Sequence, residues 1–133
     1  MNPSLKGKRV LIVEDEFVTG ELIRSCVERE AGIPIGPALT GQSAMDLMSR
    51  HQPHVALLDV SLLDGSSVRL ARQLETCGVP YAVLTGHAAD SLPIELQAAP
   101  YLEKPFAPGL LIEILVQLVS ELVESGAEVR GPE

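Results

Sequence analysis

Short apolar runs and longer amphipathic segments alternate along the chain. Runs rich in Val, Leu and Ile, each bounded by turn residues, predict five strands at 9–13, 33–39, 55–58, 81–84 and 99–102. Segments with helical spacing of apolar positions predict five helices, the fourth of them short, at 16–31, 40–50, 66–76, 90–98 and 108–124. Continuous apolar strands are typical of a parallel sheet covered on both faces. The pattern predicts a doubly wound α/β domain with right-handed crossovers.

The two ends of the chain lack this apolar pattern. Residues 1–8 and 125–133 are predicted to be tails on either side of one domain at 9–124. A chain of 133 residues matches one domain of ordinary size.

The charge and composition of the chain argue against several classes of partner and site. Ten basic and 18 acidic residues give a net charge of -8, and a surface of that sign repels nucleic-acid phosphates. The two cysteines, Cys26 and Cys77, have neither metal-site nor disulfide-framework spacing. No apolar run reaches 18 residues, and the first residues do not resemble a signal peptide. We therefore expect a cytoplasmic protein that binds neither nucleic acid nor membrane.

Polar residues with reactive side chains follow the predicted strands. In an open parallel sheet, ligands bind where the carboxyl ends of neighbouring strands converge. The residues at these ends are Glu14, Asp15 and Glu16 after the first strand, Asp59 after the third, Thr85 after the fourth, and Glu103 and Lys104 after the fifth. Acidic groups, a hydroxyl and an ammonium are thus expected at one edge of the sheet.

Only a narrow range of chemistry suits such a set. Clustered carboxylates repel one another, and Mg²⁺, which prefers oxygen ligands, offsets their charge. A carboxylate beside Mg²⁺ can attack phosphorus to form an acyl phosphate. The Lys104 ammonium and the Thr85 hydroxyl would stabilise the charge on the phosphoryl oxygens.

Four segments together resemble the receiver domain of bacterial two-component response regulators. They are VLIVEDE at 10–16, LLDVSLLDG at 57–65, VLTGH at 83–87 and YLEKPF at 101–106. The resemblance spans roughly residues 8–124. It implies a flavodoxin-like fold, with five parallel strands in the order 2-1-3-4-5.

The resemblance also implies roles for the residues at the strand ends. Asp59 would be the phosphoacceptor, taking its phosphoryl group from a histidine of a sensor kinase or of a histidine phosphotransfer protein. Asp15 and Asp59 would bind Mg²⁺ directly, Glu14 would act through water, and Ser61 would contribute its main-chain carbonyl. Lys104 would pair with a phosphoryl oxygen.

Three further residues receive roles by the same resemblance. Thr85 and Tyr101 match the switch pair, in which the hydroxyl moves toward the phosphoryl group and the aromatic ring turns inward behind it. His87 occupies a position that tunes hydrolysis of the phosphoryl group, although a solvated loop histidine is an equal alternative. The Lys104-Pro105 peptide is expected to be cis, since cis bonds occur mainly before proline.

The sequence departs from the family pattern in two places. Leu63 and Ser67 stand where the loop after the phosphoacceptor usually carries proline and glycine. The segment between Thr85 and Tyr101 is about three residues shorter than in typical members and contains Pro93 and Pro100. Proline interrupts helices, so we expect a short, irregular or displaced fourth helix.

The last helix, at 108–124, has a wider apolar face than a helix lying on a sheet requires. Part of this face is a candidate surface for a homodimer or a partner. The alternative is that the core of the domain buries the whole face.

We interpret the chain as a stand-alone phosphoacceptor that signals through protein contacts and catalyses only its own phosphorylation and slow dephosphorylation. One alternative is a receiver-like adaptor that does not depend on phosphate. The other is a small aspartyl-phosphate phosphatase, although Asp59-Val60-Ser61 lacks the second acid of the Asp-x-Asp motif found in such enzymes.

Overall fold

The computed structural model describes residues 5–62, 64–86 and 92–124 of the 133. The described elements alternate between strand and helix from Arg9 onward. In chain order they are β1 (Arg9–Val13), α1 (Phe17–Arg29), β2 (Ile33–Ala38), α2 (Gly41–His51), β3 (Val55–Asp59), α3 (Ser67–Thr76), β4 (Tyr81–Thr85), a 3-10 turn (Ile94–Leu96), β5 (Tyr101–Glu103) and α4 (Pro108–Glu124). The five predicted strands are confirmed, with ends that differ by one or two residues.

The strands form one parallel sheet in the order β2-β1-β3-β4-β5. This is the predicted flavodoxin-like order, and all four strand pairings are parallel. The chain leaves β1 toward one edge of the sheet and returns on its other side as β3. Ligands bind outside the carboxyl ends of strands at such a reversal, so the topology places a crevice where β1 and β3 end.

Alternate side chains of the strands supply two separate aliphatic cores. On one face of the sheet, α1 and α4 cover side chains such as Ile12, Leu57 and Leu84. On the other face, α2 and α3 cover side chains such as Leu11, Leu58 and Val83. Each central strand is therefore buried on both sides, which explains its continuous apolar sequence.

The segment predicted to form a short, irregular or displaced fourth helix shows a minor difference from the expected five helices. Within the described residues 92–100, the chain makes only the 3-10 turn that follows Pro93. Leu92 and Leu96 are buried against the α2–α3 face, so this turn still covers the sheet. The described part of the chain therefore has four α-helices rather than five.

The packed unit begins before the predicted boundary at residue 9. Leu5 is fully buried in the α1–α4 core, and the main-chain N–H of Gly7 donates to the carbonyl of Ala31 at 3.1 Å. The predicted tail at 1–8 is thus wrong for residue 5. Residues 1–4 and 125–133 of the predicted tails lie outside the described part of the chain.

The last helix places most of its apolar side chains in the core. Leu111, Leu115, Leu118 and Leu122 are buried, whereas Leu110 is half exposed. No helix in the described part of the chain combines the length and apolarity needed to cross a membrane. A homodimer through this helix stays a prediction.

Candidate functional site

Three carboxylates that are far apart in sequence meet at the carboxyl edge of the sheet. Glu14 and Asp15 directly follow β1, and Asp59 is the last residue of β3. One carboxylate oxygen from each lies within 4.8 Å of the other two. Glu14 and Asp59 are buried, and Asp15 is partly exposed. The structure therefore brings together the acidic residues that were predicted from the strand ends.

The ammonium of Lys104 lies among these carboxylates. Its Nζ is 2.7 Å from Glu14 Oε1, 3.0 Å from Glu16 Oε1 and 3.2 Å from Asp59 Oδ2. Lys104 reaches this position because it directly follows β5, where its main-chain N–H donates to the carbonyl of Thr85 at 2.7 Å. The Lys104-Pro105 peptide is cis, as the resemblance implied.

The pKa values of Glu14 and Lys104 follow from burial and from these contacts. Burial and the neighbouring Asp59 carboxylate raise the pKa of Glu14 to about 7, against the opposing effects of Lys104 and of the Glu16 main-chain N–H. Burial by itself lowers the pKa of Lys104, but hydrogen bonds to Glu14 and Glu16 raise it above its ordinary value. Lys104 is therefore a permanent cation, and Glu14 can exchange a proton near neutral pH.

The Asp59 side chain is held at both oxygens. The main-chain N–H of Ser61 donates to Oδ1 at 2.8 Å, and Lys104 Nζ contacts Oδ2. The Ser67 hydroxyl, itself buried, donates to the main-chain carbonyl of Asp59 at 2.8 Å. Both the carboxylate and the backbone of this residue are thus fixed before any ligand binds.

The loop between β3 and α3 is tied to the start of α2. Asp64 accepts hydrogen bonds from the main-chain N–H of Gly41 at 3.0 Å and from the Ser66 hydroxyl at 2.6 Å. A Cβ at Gly41 would collide with the side chain of Ser66, so only glycine permits this approach. Asp64 thereby anchors the end of this loop that precedes α3 to the start of α2. Leu63, which with Ser67 departs from the family pattern in this loop, lies outside the described residues.

The predicted switch residues share one face of the sheet. Thr85 pairs with Glu103, and Val83 pairs with Tyr101 two residues earlier along both strands, which places all four side chains on the same face. Thr85 is fully buried, whereas 45% of Tyr101 is exposed. His87 lies outside the described residues, so its tuning role stays a prediction.

An open crevice of about 600 Å³ runs from the carboxylates toward α1 and the start of α4. Asp15, Asp59 and Lys104 lie at its polar end, and Leu22 and Phe106 line its apolar side. Phe17 and Val18, on the first turn of α1, are each 78% exposed. The reactive groups are therefore bordered by an apolar surface that is open to solvent.

The donor set fits a hard divalent cation. Glu14, Asp15 and Asp59 supply carboxylate oxygens, the ligand type that Mg²⁺ prefers. Glu14 Oε1 is fully buried and, among the described residues, has no hydrogen bond of good geometry beside its ion pair with Lys104. The negative charge at this site exceeds what one ammonium neutralises.

Two contacts of the site were not foreseen from the sequence. Glu16 was recognised as following β1, but its ion pair with Lys104 depends on side-chain reach across 88 residues. Ser67 was noted only as a departure from the family's glycine, and its bond to the Asp59 carbonyl was missed. A second hydroxyl residue directly after the helix N-cap, Ser66, is the sequence signal that could have indicated this role.

Comparisons with known proteins agree with this geometry. A family model described as the response regulator receiver domain matches residues 10–116. The aerobic respiration control protein ArcA of Escherichia coli is 31% identical over 92% of this chain and 52% of its own length. The phosphate regulon transcriptional regulatory protein PhoB of Pseudomonas aeruginosa is 34% identical over 80% of this chain and 49% of its own length.

A solved structure gives the same result for the fold. The response regulator PhyR from Brucella abortus superposes with a TM-score of 0.81 at 25% identity, covering 94% of this chain and 53% of that one. The chain spans about half the length of the curated relatives it matches.

Proposed function

This chain belongs to the response regulator receiver domain family, and on that premise we propose that Asp59 accepts a phosphoryl group from a phosphohistidine. The observation that carries the proposal is the position of Asp59, a buried carboxylate held between the Lys104 ammonium and two further acids. No simple structural role explains a buried cluster whose like charges oppose folding.

The transfer exchanges one bond of phosphorus for another. A carboxylate oxygen of Asp59 forms a bond to phosphorus while the bond between phosphorus and the histidine nitrogen breaks. The imidazole leaves with the electron pair of that bond, and the product is an acyl phosphate. Little further chemistry is needed, so the contribution of the protein is positioning and charge stabilisation.

Mg²⁺ would be held by Asp15, by Asp59 and by the main-chain carbonyl of Ser61, with Glu14 acting through water. When bound, it supplies positive charge next to the phosphoryl oxygens. The carboxylate cluster is an independent argument for this ion, because its excess negative charge disfavours an incoming phosphoryl group unless a cation offsets it.

Lys104 would stabilise the phosphoryl group, and Thr85 would change position in response to it. The Lys104 ammonium, 3.2 Å from Asp59 Oδ2, is close enough to donate to a phosphoryl oxygen. Thr85 would then move toward the phosphoryl group, and Tyr101, on the same face of the sheet, would turn inward from its exposed position. Such a change is a population shift driven by the affinity of the phosphoryl group for one arrangement.

The phosphodonor would be a sensor histidine kinase or a histidine phosphotransfer protein. Phe17, Val18 and Leu22 form an exposed apolar surface on α1 beside the crevice that contains Asp59. A partner that buries this surface would bring its histidine to the reactive carboxylate. The signal would then pass on through contacts with a further protein.

The experiment is phosphorylation by phosphoramidate, with and without Mg²⁺, followed by mass spectrometry of the intact protein. We expect one phosphoryl group per chain with Mg²⁺, and none in the Asp59→Asn variant. The matched control is Asp46→Asn, which changes an exposed carboxylate on α2 and should label normally. Labelling that persists at another carboxylate in Asp59→Asn would contradict the proposal. Partner affinity that is unchanged by phosphorylation would favour the adaptor, and repeated turnover of a phosphomonoester would favour the phosphatase.

A further inference from the structure

Glu16 contacts Lys104 although the proposed reaction assigns it no role. Its Oε1 lies 3.0 Å from Lys104 Nζ, and its main-chain N–H donates to Glu14 Oε2 at 3.0 Å. The second bond fixes the backbone of residue 16 at the start of α1, so the side chain is directed to the ammonium by the same loop that carries Glu14 and Asp15.

The Lys104 ammonium donates hydrogen bonds to Glu16 and Asp59 and forms an ion pair with Glu14. An ammonium has three N–H groups, and Nζ has three carboxylate neighbours, on Glu14, Glu16 and Asp59. A phosphoryl group on Asp59 brings new oxygens that need the same donors. The Asp59 contact passes to the phosphoryl group when the carboxylate becomes an acyl phosphate. Lys104 can turn further toward the phosphoryl oxygens only by giving up Glu14 or Glu16.

Exposure decides which contact is released. The side chain of Glu14 is 0% exposed, so an unpaired carboxylate there would be costly. The side chain of Glu16 is 61% exposed and can exchange Lys104 for water. Its hydrogen bond from the Thr19 hydroxyl, at 3.4 Å, is too long to restrain it strongly.

We propose that Glu16 is a positioning residue that holds Lys104 in the unphosphorylated site and releases it to the phosphoryl group. Glu16 therefore competes with the phosphoryl oxygens for Lys104 and slows phosphorylation of Asp59. This inference rests on the proposed function, because it concerns the rate of the same reaction.

The test measures the rate of labelling by phosphoramidate at saturating Mg²⁺. In this reaction the bond from Asp59 oxygen to phosphorus forms, the bond from phosphorus to nitrogen breaks, and ammonia leaves with the donor's own proton. We expect Glu16→Gln to raise the rate at saturating donor about two- to fivefold, the range that an exposed ion pair permits. The donor concentration for half-maximal rate should not change.

Two further variants distinguish the effect of the Glu16–Lys104 contact from the effect of removing a negative charge. Glu21→Gln removes an exposed carboxylate from the same helix without touching Lys104, so its rate should equal that of the unmodified chain. Glu16→Asp keeps the charge but is one methylene too short for the contact, so it should accelerate labelling as Glu16→Gln does. Both positions are exposed, and matching urea midpoints of the three variants will show that the fold is intact.

The outcomes distinguish this inference from the proposed function. If the unmodified chain takes no label, the proposed function fails. If it takes label but Glu16→Gln is no faster than Glu21→Gln, or if Glu16→Asp labels at the unmodified rate, the role of Glu16 is overturned and the proposed function stands.

Discussion

The two edges of the sheet differ in how their polar groups are paired. At the amino edge, the main-chain N–H of Arg9 donates to His54 Nδ1 at 2.9 Å, and the Tyr81 hydroxyl donates to Glu75 at 2.8 Å. At the carboxyl edge, three carboxylates share the single ammonium of Lys104. Each of these polar groups at the amino edge has a matched partner, whereas the carboxyl edge has an excess of negative charge.

This difference is consistent with the proposed function, because the unmatched charges lie where the proposed reaction takes place. The matched pairs at the amino edge satisfy each donor with an acceptor, which is the usual state of buried polar groups. The carboxyl edge keeps like charges close together in a region of low solvent access, which opposes folding. Such an arrangement is useful only if a cation or a phosphoryl group later changes the balance of charge. Changes at the carboxyl edge should therefore affect both stability and phosphorylation, whereas changes at the amino edge should affect stability alone.

The largest effect is expected from Lys104→Met. Without the ammonium, the buried carboxylates lose their only described counter-charge, and the free energy of unfolding without Mg²⁺ should fall by about 3 kcal/mol. Urea unfolding measures this value. Added Mg²⁺ should restore part of the loss, because the divalent cation replaces the missing positive charge.

The control for that variant is Lys6→Met, which removes an exposed lysine outside the site. Its unfolding should match that of the unmodified chain within the ordinary range for surface substitutions. Equal stability of the two lysine variants would show that the carboxyl edge carries no excess of charge.

A smaller effect of opposite sign is expected from Glu14→Gln. The pKa of Glu14 rises from 4.5 to about 7 in the folded chain, so folding favours its protonated form. The destabilising effect of its charge is therefore absent below pH 4.5 and develops as the pH rises through about 7. Without Mg²⁺, the variant should be about 1 to 2 kcal/mol more stable than the unmodified chain at pH 8.

Urea unfolding at two pH values tests this expectation. The gain in stability from Glu14→Gln should be clearly smaller at pH 5 than at pH 8. Glu113→Gln, at an exposed position on α4, should give no such dependence on pH. A gain that is larger in acid would reverse the sign derived from the raised pKa of Glu14.

The smallest effect is expected at the amino edge, from Tyr81→Phe. Loss of the hydroxyl removes its bond to Glu75 and should cost about 1 kcal/mol in urea unfolding. The rate of phosphorylation should not change, because Tyr81 lies at the far end of β4 from Thr85. Glu75→Gln keeps an acceptor for the hydroxyl and should cost less. A clear change in phosphorylation rate with Tyr81→Phe would show that the two edges are not independent.

The central strands could be predicted from sequence because each is buried on both faces and reads as a continuous apolar run. The segment at 90–98 could not be predicted reliably, since Pro93 and Pro100 leave too few residues for helical periodicity to be visible. Leu5 was missed for a related reason: one apolar residue in a polar stretch forms no pattern, although it completes the α1–α4 core.

Some contacts of the site follow from the path of the backbone, and others depend on side-chain conformation. Glu14, Asp15, Asp59 and Lys104 could be predicted to meet, because the backbone topology alone brings the ends of their strands together. The pairing of Glu16 with Lys104 and the bond from Ser67 to the Asp59 carbonyl depend on rotamers and on distances of about 3 Å, which strand order does not determine.

The carboxylates and the ammonium come from β1, β3 and β5, so the first and last strands of the chain must both be in place before they meet. No hairpin, fragment or partly formed sheet contains the reactive constellation. Under the proposed function, a chain in which β5 has not joined the sheet would lack Lys104 at the site and should not be phosphorylated efficiently.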